Sequence, residues 1–284
     1  MPNKHFILTR FNLLIFNRDK EGQKVRSSSW LEHRFSLFER YCLPSLKNQT
    51  CHDFEWIVLF DSTTPERFKK RVDEYQNDFP QLIPVFVEPE NGRYFAQIFR
   101  EEVRHKMDDV RGGRVLTTYL DNDDALDIHF VEDIQRRASS LPDGTFITYD
   151  SGYQLFTDHN YVMRIRYPRN HFMSVVEKAD IAVKTIYGYG SHYYVDKIPG
   201  VKIEHVKDEP MWCEVIHDKN MGNDAYFLRA KMVRKAEGFG FMVQDSSVQE
   251  FNYGLGLYLF KFLPRYFKTL IRRCGYFIFG NRFK

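Results

Sequence analysis

The 284-residue chain carries 41 Lys and Arg against 38 Asp and Glu, a formal net charge of +3, and 43% of its residues are hydrophobic. These are ordinary values for a soluble globular protein able to bury a core, in one large α/β domain or one with a smaller appendage. The near-balanced charge gives no argument for nucleic acid as a partner, and no run of about 18 apolar residues marks a spanning helix.

Phe6–Leu13 is apolar and β-like. Ser27-Ser28-Ser29 then caps a helical pattern from Trp30 to about Leu46, with Leu31, Phe35, Phe38 and Cys42 on one face. DFEWIVLFD over Asp53–Asp61 reads as a buried parallel strand, Thr64-Pro65-Glu66 opens another helix, and Leu82–Val87 is a third strand. Asn91-Gly92 precedes a helix reaching Lys106, and Arg111-Gly112-Gly113 turns the chain into a fourth strand. Ile128–Ser139 is the next helix. This alternation predicts βαβ units and a mainly parallel sheet. After Pro142-Asp143-Gly144 the rhythm shortens to Thr145–Asp150, Tyr153–Thr157 and Tyr161–Tyr167, an antiparallel excursion, and Lys184–Pro199 reads as loops near a site. The expected units are an alternating α/β half, 1–144, a second half, 145–252, and a tail, 253–284.

The fourth strand ends in Asp121-Asn122-Asp123-Asp124. Carboxylates crowded at a strand end repel one another unless a cation bridges them. Hard oxygen ligands suit Mg²⁺ or Mn²⁺, which keep positions open for substrate phosphates. Ligands of open α/β sheets bind beyond the carboxyl ends of the strands, where this cluster lies. The plainer reading is a helix N-terminus favoured by acids. An EF-hand fails because Ala125 falls at the third ligand position and the loop glycine is missing.

The tail combines aromatic and aliphatic residues with Lys261, Arg265, Lys268, Arg272, Arg273, Arg282 and Lys284, and no acid. As an amphipathic helix it would lie on an anionic membrane surface; the plain alternative is a helix docked on the main domain. The four cysteines show no paired spacing, and the N-terminus enters a strand directly. Both features predict a cytoplasmic protein, and the tail predicts that it is peripheral at the inner face of the cell membrane.

Four segments together resemble one family. They are LDNDDAL, the helix end Leu43-Pro44-Ser45-Leu46-Lys47-Asn48-Gln49-Thr50, the strand Phe54–Asp61, and the stretch from Met211 to Asn220 with its Trp212-x(4)-His217 spacing. Over roughly Phe6 to Asn223 the chain is similar to the bacterial rhamnosyltransferases, nucleotide-sugar glycosyltransferases of GT-A fold. The resemblance implies a Rossmann-like sheet flanked by helices, a nucleotide-diphosphate sugar donor, and a glycan or lipid-linked acceptor in cell-surface polysaccharide synthesis. It places Asp121 and Asp123 in the metal and nucleotide motif, with His217 completing the metal shell. Relatives often carry Arg where this chain has Tyr119, so Arg10 or Arg93 is expected to take over the diphosphate contact.

Asp61 ends the second strand beside the expected nucleotide pocket, where it would hold base or ribose, or cap the next helix. Trp212 is read either as a stacking surface for an acceptor sugar or as core. An inverting transfer needs a base, and Glu209 or Asp208 is favoured over Glu214 and Asp150. Asp124 is a ligand or a cap. The rival class is a non-catalytic nucleotide- or glycan-binding protein on the same fold. A P-loop phosphotransferase fails because no G-x(4)-G-K-[ST] occurs.

Overall fold

The computed structural model describes residues 3–15, 27–107, 110, 112–157, 161–217, 230–233 and 235–241, with isolated positions between 255 and 271. A single mixed sheet organises them. Its first half is the parallel set β3-β2-β1-β4, made of β1 (Asn3–Arg10), β2 (Glu55–Asp61), β3 (Leu82–Val87) and β4 (Arg114–Tyr119). Helices cover both faces, so β2 reads as an unbroken apolar run and is buried from Trp56 to Asp61.

α1 (Ser28–Leu37) starts where the Ser27 side chain accepts the Trp30 N–H. The helical pattern predicted from Trp30 to Leu46 is present, but it widens into a π-helical turn over Phe38–Cys42 before α2 (Leu43–Lys47). Pro44 gives the reason: it has no N–H to offer the preceding turn, and its ring crowds that carbonyl. α3 (Glu66–Asp78) and α4 (Phe95–Lys106) bury Phe68 and Val72, and Phe99 and Val103, respectively. α5 (Phe130–Ala138) turns Phe130, Val131, Ile134 and Ala138 inward at helical spacing.

The sheet is not mainly parallel throughout. The two short strands expected over 145–157 are one twelve-residue strand, β6 (Thr145–Phe156), with a pairing irregularity between Tyr149 and Tyr153. β7 (Tyr161–Arg166) and β8 (Met173–Lys178) pair antiparallel with β6, and β8 also joins β4 antiparallel, linking the two halves. β9 (Lys202–Ile216) runs parallel to β6 and takes on β5 (Ala125–Leu126) antiparallel, while β10 (Lys231–Val233) edges β7. β8 and β9 have no counterpart in the sequence reading. Most of 253–284 lies outside the described residues, so the tail's predicted form does too. Among the described residues no helix is long and apolar enough to cross a membrane.

Candidate metal and nucleotide site

The segment after β4 is not a helix N-terminus. It turns into β5, and the next helix begins only at Phe130, where Asp127 Oδ1 accepts the His129 N–H. The four residues of the acidic cluster are sorted instead into two separate jobs.

Asn122 and Asp123 clamp the strand end to α1. Arg34 Nη1 donates to Asp123 Oδ2 at 2.6 Å and to Asn122 Oδ1 at 3.2 Å. Asn122 Nδ2 in turn donates to the carbonyls of Arg10 and Phe11 at 3.1 and 2.6 Å, closing the loop against β1. His217 Nε2 lies 2.9 Å from the same Asp123 oxygen. Burial alone would raise the Asp123 pKa, but Arg34 and His217 outweigh it and hold the carboxyl well below the usual range. The charge of Asp123 is therefore compensated from within the chain.

Asp121 and Asp124 have a different company. Asp124 is fully buried; its Oδ1 accepts the Val215 N–H from β9, and its Oδ2 lies 3.0 Å from His171 Nε2. His171 Nε2 is also 3.9 Å from Asp121 Oδ2. One donor atom from each of Asp121, Asp124 and His171 falls within 4.8 Å of the others. Burial, with Asp123 and Asp121 nearby, pushes the Asp124 carboxyl well above its ordinary pKa. A buried carboxyl in that condition is short of positive charge, and two carboxylate oxygens with one imidazole nitrogen are a donor set for a divalent ion. The residues fit the expected Mn²⁺ or Mg²⁺.

Tyr119 and Arg10 flank this trio. Arg10 Nη2 donates to the Tyr119 hydroxyl at 2.8 Å, and that hydroxyl lies 2.9 and 3.0 Å from the two oxygens of Asp121. The guanidinium stands over the rings of Phe95 and Tyr187 at 4.7 and 5.2 Å. Burial works against the Arg10 charge, yet Tyr119, Tyr187 and Asp121 more than restore it and raise its pKa. The cation is thus fixed at the carboxyl end of β1, beside the acids. A cavity of about 280 Å³ opens here, walled by Arg10, Phe95, Tyr119, His171, Tyr187 and His192 among others. Burial and the neighbouring His171 hold His192 neutral, its pKa lowered to about 3.

Of the predicted site residues, the structure brings Asp121 and Arg10 together, and separately Asp123 and His217. Asp61 is buried and occupied locally: its Oδ1 accepts the Thr63 N–H at 2.9 Å and the Thr63 hydroxyl, and its own N–H donates to Asn12. Arg93 is exposed over its neighbour Tyr94 and does not line the cavity beside the trio. Trp212 is not a sugar platform. It is 0% exposed, stacks on Phe172 at 4.8 Å, and donates its N–H to the Tyr149 carbonyl. A Cβ on Gly152 would sit 2.1 Å from its ring, so glycine is required there. Glu209 opens onto another cleft with Asp127, Glu132 and Glu237, away from the cavity beside Asp121; the Asp208 side chain lies outside the described set. Glu214, one position after Cys213 on β9, is buried, accepts from Gln154 Nε2 at 2.5 Å, and has its pKa raised to about 7 chiefly by burial, with Asp124 adding and His171 opposing.

A family model described as "Putative rhamnosyl transferase" matches residues 4–228. None of the curated proteins matches the sequence significantly. Among solved structures, Staphylococcus aureus TarS 1–349 is similar with a TM-score of 0.42 at 10% identity, over 75% of this chain and 60% of that one. The same fragment in complex with UDP gives 0.40 at 11% identity, again over 75% and 60%. A 4-diphosphocytidyl-2C-methyl-D-erythritol synthase gives 0.34 at 13%, over 73% and 89%. The chain thus spans about 60% of the length of the TarS fragment. Likenesses this distant leave substrate and activity to be argued from the site itself. The family match covers most of the chain, and the chain belongs to this glycosyltransferase family.

Proposed function

We propose that the protein transfers a sugar from a nucleoside diphosphate donor to a hydroxyl of a glycan or lipid-linked acceptor, on a sheet of GT-A type. The observation that carries this reading is the trio Asp121, Asp124 and His171 at the carboxyl end of β4, with Arg10 beside it. It supplies cation ligands and a fixed guanidinium at the place where open α/β sheets bind their ligands. Asp121, Asp124 and His171 would hold the Mn²⁺ or Mg²⁺, and the imidazole favours Mn²⁺. When bound, the ion supplies Lewis-acid neutralisation of the charge on the departing diphosphate.

The chain's own residues do the rest. Arg10 is pre-oriented by its aromatic walls to meet a phosphate, the contact Tyr119 is too short of charge to make. Tyr119 instead fixes Asp121 and Arg10 relative to each other. Asp123, Arg34 and His217 hold the loop from behind, so the roles first assigned to Asp123 and His217 pass to Asp124 and His171. Glu214 is the base of this reading in place of Glu209 or Asp208: it is buried near His171 and Asp124, which act on its charge, and its pKa is pushed up to about 7. Rhamnose is the proposed sugar on the strength of the family description. The basic, acid-free stretch 253–284 would keep the enzyme at an anionic membrane surface, where lipid-linked acceptors reside.

The test is Mn²⁺-dependent release of nucleoside diphosphate from a panel of nucleotide sugars, with Asp121→Asn as control. Release from one donor class, lost in the variant and on chelation, supports the reading. A folded wild-type protein that neither binds nor turns over any donor would return the weight to a non-catalytic glycan-binding module.

A further inference from the structure

The cavity beside the acidic trio has two unlike walls. One is the charged machinery of Arg10, Tyr119 and His171; the other is the turn Ser191–Val195 with Met173 and Ile186. Its volume of about 280 Å³ is below the range of roughly 300–1,000 Å³ for sites that enclose a drug-sized ligand. It has room for one monosaccharide ring.

The far wall is anchored. Val195 is buried, Ser191 Oγ accepts the Tyr193 N–H at 3.4 Å, and Arg169 Nη2 donates to Asp196 Oδ2 at 2.5 Å. His192, at the start of this 3₁₀ turn, packs tilted against Tyr193 with ring centroids 3.9 Å apart. Its Nε2 is buried and has no hydrogen-bond partner among the described residues; among the residues lining the cavity, only Arg10 Nε shares that condition. A buried ring nitrogen left unsatisfied is costly, and proteins leave few of them without a reason.

We propose that His192 Nε2 hydrogen-bonds a hydroxyl of the sugar being transferred, and so helps decide which sugar the enzyme accepts. The inference rests on the glycosyltransferase reading above. A buried, unpartnered ring nitrogen facing the cavity can exchange a hydrogen bond with a hydroxyl, which both donates and accepts. Met173, Ile186 and Val195 supply apolar contact for the ring's carbon face, and Arg10 on the opposite wall would receive the diphosphate end. An acceptor hydroxyl has the same chemistry; the position next to the trio that would hold the diphosphate favours the donor's own sugar.

The experiment is calorimetry in Mn²⁺ with UDP, dTDP, UDP-glucose and dTDP-rhamnose on wild type, His192→Phe and His192→Asn. The phenylalanine keeps ring volume and packing without the nitrogen. We expect His192→Phe to bind the free nucleotide as wild type does, within about twofold, and to bind its sugar conjugate about tenfold more weakly, the size of one lost hydrogen bond. His192→Asn should recover part of that loss. Equal weakening of nucleotide and conjugate, or no change in either, overturns the proposal. Wild-type protein that binds none of the four probes overturns the glycosyltransferase reading itself, and this subsite with it.

Discussion

Asp123 and Asp124 are adjacent in sequence, yet the structure predicts opposite responses to losing their charge. Asp123 and Arg34 form an ion pair at 2.6 Å with both side chains 7% exposed. Removing one partner of such a pair leaves a buried charge uncompensated and costs about 3–5 kcal/mol. For a protein of this size each kcal/mol moves the midpoint by roughly 2–4 °C, so Asp123→Asn should melt roughly 6–20 °C lower. Arg34→Met should do the same, and the double variant Arg34→Met with Asp123→Leu should regain most of the loss, since an apolar replacement leaves neither charge stranded. Asp124→Asn removes a carboxylate that burial and two nearby acids disfavour, and should raise the midpoint of the metal-free protein. The signs also separate with pH. Asp123, with its pKa depressed, stabilises the fold above the ordinary carboxylate range and loses that contribution as pH falls. Asp124, with its pKa raised, makes the metal-free fold more stable as pH falls through the folded-state value. Thermal and urea melts in chelator read all of this, comparing pH 7 with pH 5 for Asp124 and pH 5 with pH 3 for Asp123. A small effect of Asp123→Asn, under about 1 kcal/mol, or a large destabilisation by Asp124→Asn, would refute the division of labour.

Tyr119→Phe removes the hydroxyl shared by Arg10 and Asp121, and should weaken Mn²⁺-nucleotide binding by about one lost charged hydrogen bond, roughly tenfold, without lowering the melting point by more than a few degrees. Unaltered binding would remove Tyr119 from the site. Glu214 titrates at about 7 against an ordinary 4.5, a penalty on the order of 3 kcal/mol that builds as pH rises through this interval. Glu214→Gln should flatten the stability profile over that range and abolish transfer while sparing donor binding; full activity in the variant would exclude it as the base. Gly152→Ala drives a methyl into the Trp212 ring and should cost about 1–3 kcal/mol or more, measured by urea denaturation, and a neutral result would contradict the packing. Deleting 253–284 should release the protein from phosphatidylserine vesicles in a co-sedimentation assay; equal binding of both forms would refute the tail's role.

The parallel half was legible because helices cover both its faces, which leaves continuous apolar runs such as Trp56–Phe60 and period-3.6 helices between them. The second half was obscured for a physical reason. β9 is partly exposed over Lys202–Lys207 and wholly buried over Met211–Val215, so no single alternation runs through it, and Asp208-Glu209-Pro210 at the changeover imitates a turn. Asp121 could be read from its place at a strand end, and Asp124 was open as a ligand or a cap. His171 carried no local signal: it lies 47 residues from Asp124, in the loop before β8, and only the antiparallel return of β8 onto β4 brings it to the acids. Trp212 misled because a tryptophan's sequence neighbours do not tell a stacking surface from a core ring; Gly152 opposite it decides. Arg34 went unnoticed for a similar reason, being one cation on a helix whose other inward residues are apolar.

The central claim is that the cation and the donor diphosphate meet at Asp121, Asp124 and His171. Calorimetric titration of Mn²⁺ in the presence of nucleoside diphosphate, on wild type, His171→Ala and His217→Ala, tests it most directly. The account predicts that His171→Ala loses the metal-dependent binding and His217→Ala keeps it, with a lowered melting point. Loss of binding in His217→Ala alongside wild-type binding in His171→Ala would contradict it and return the metal to Asp123 and His217.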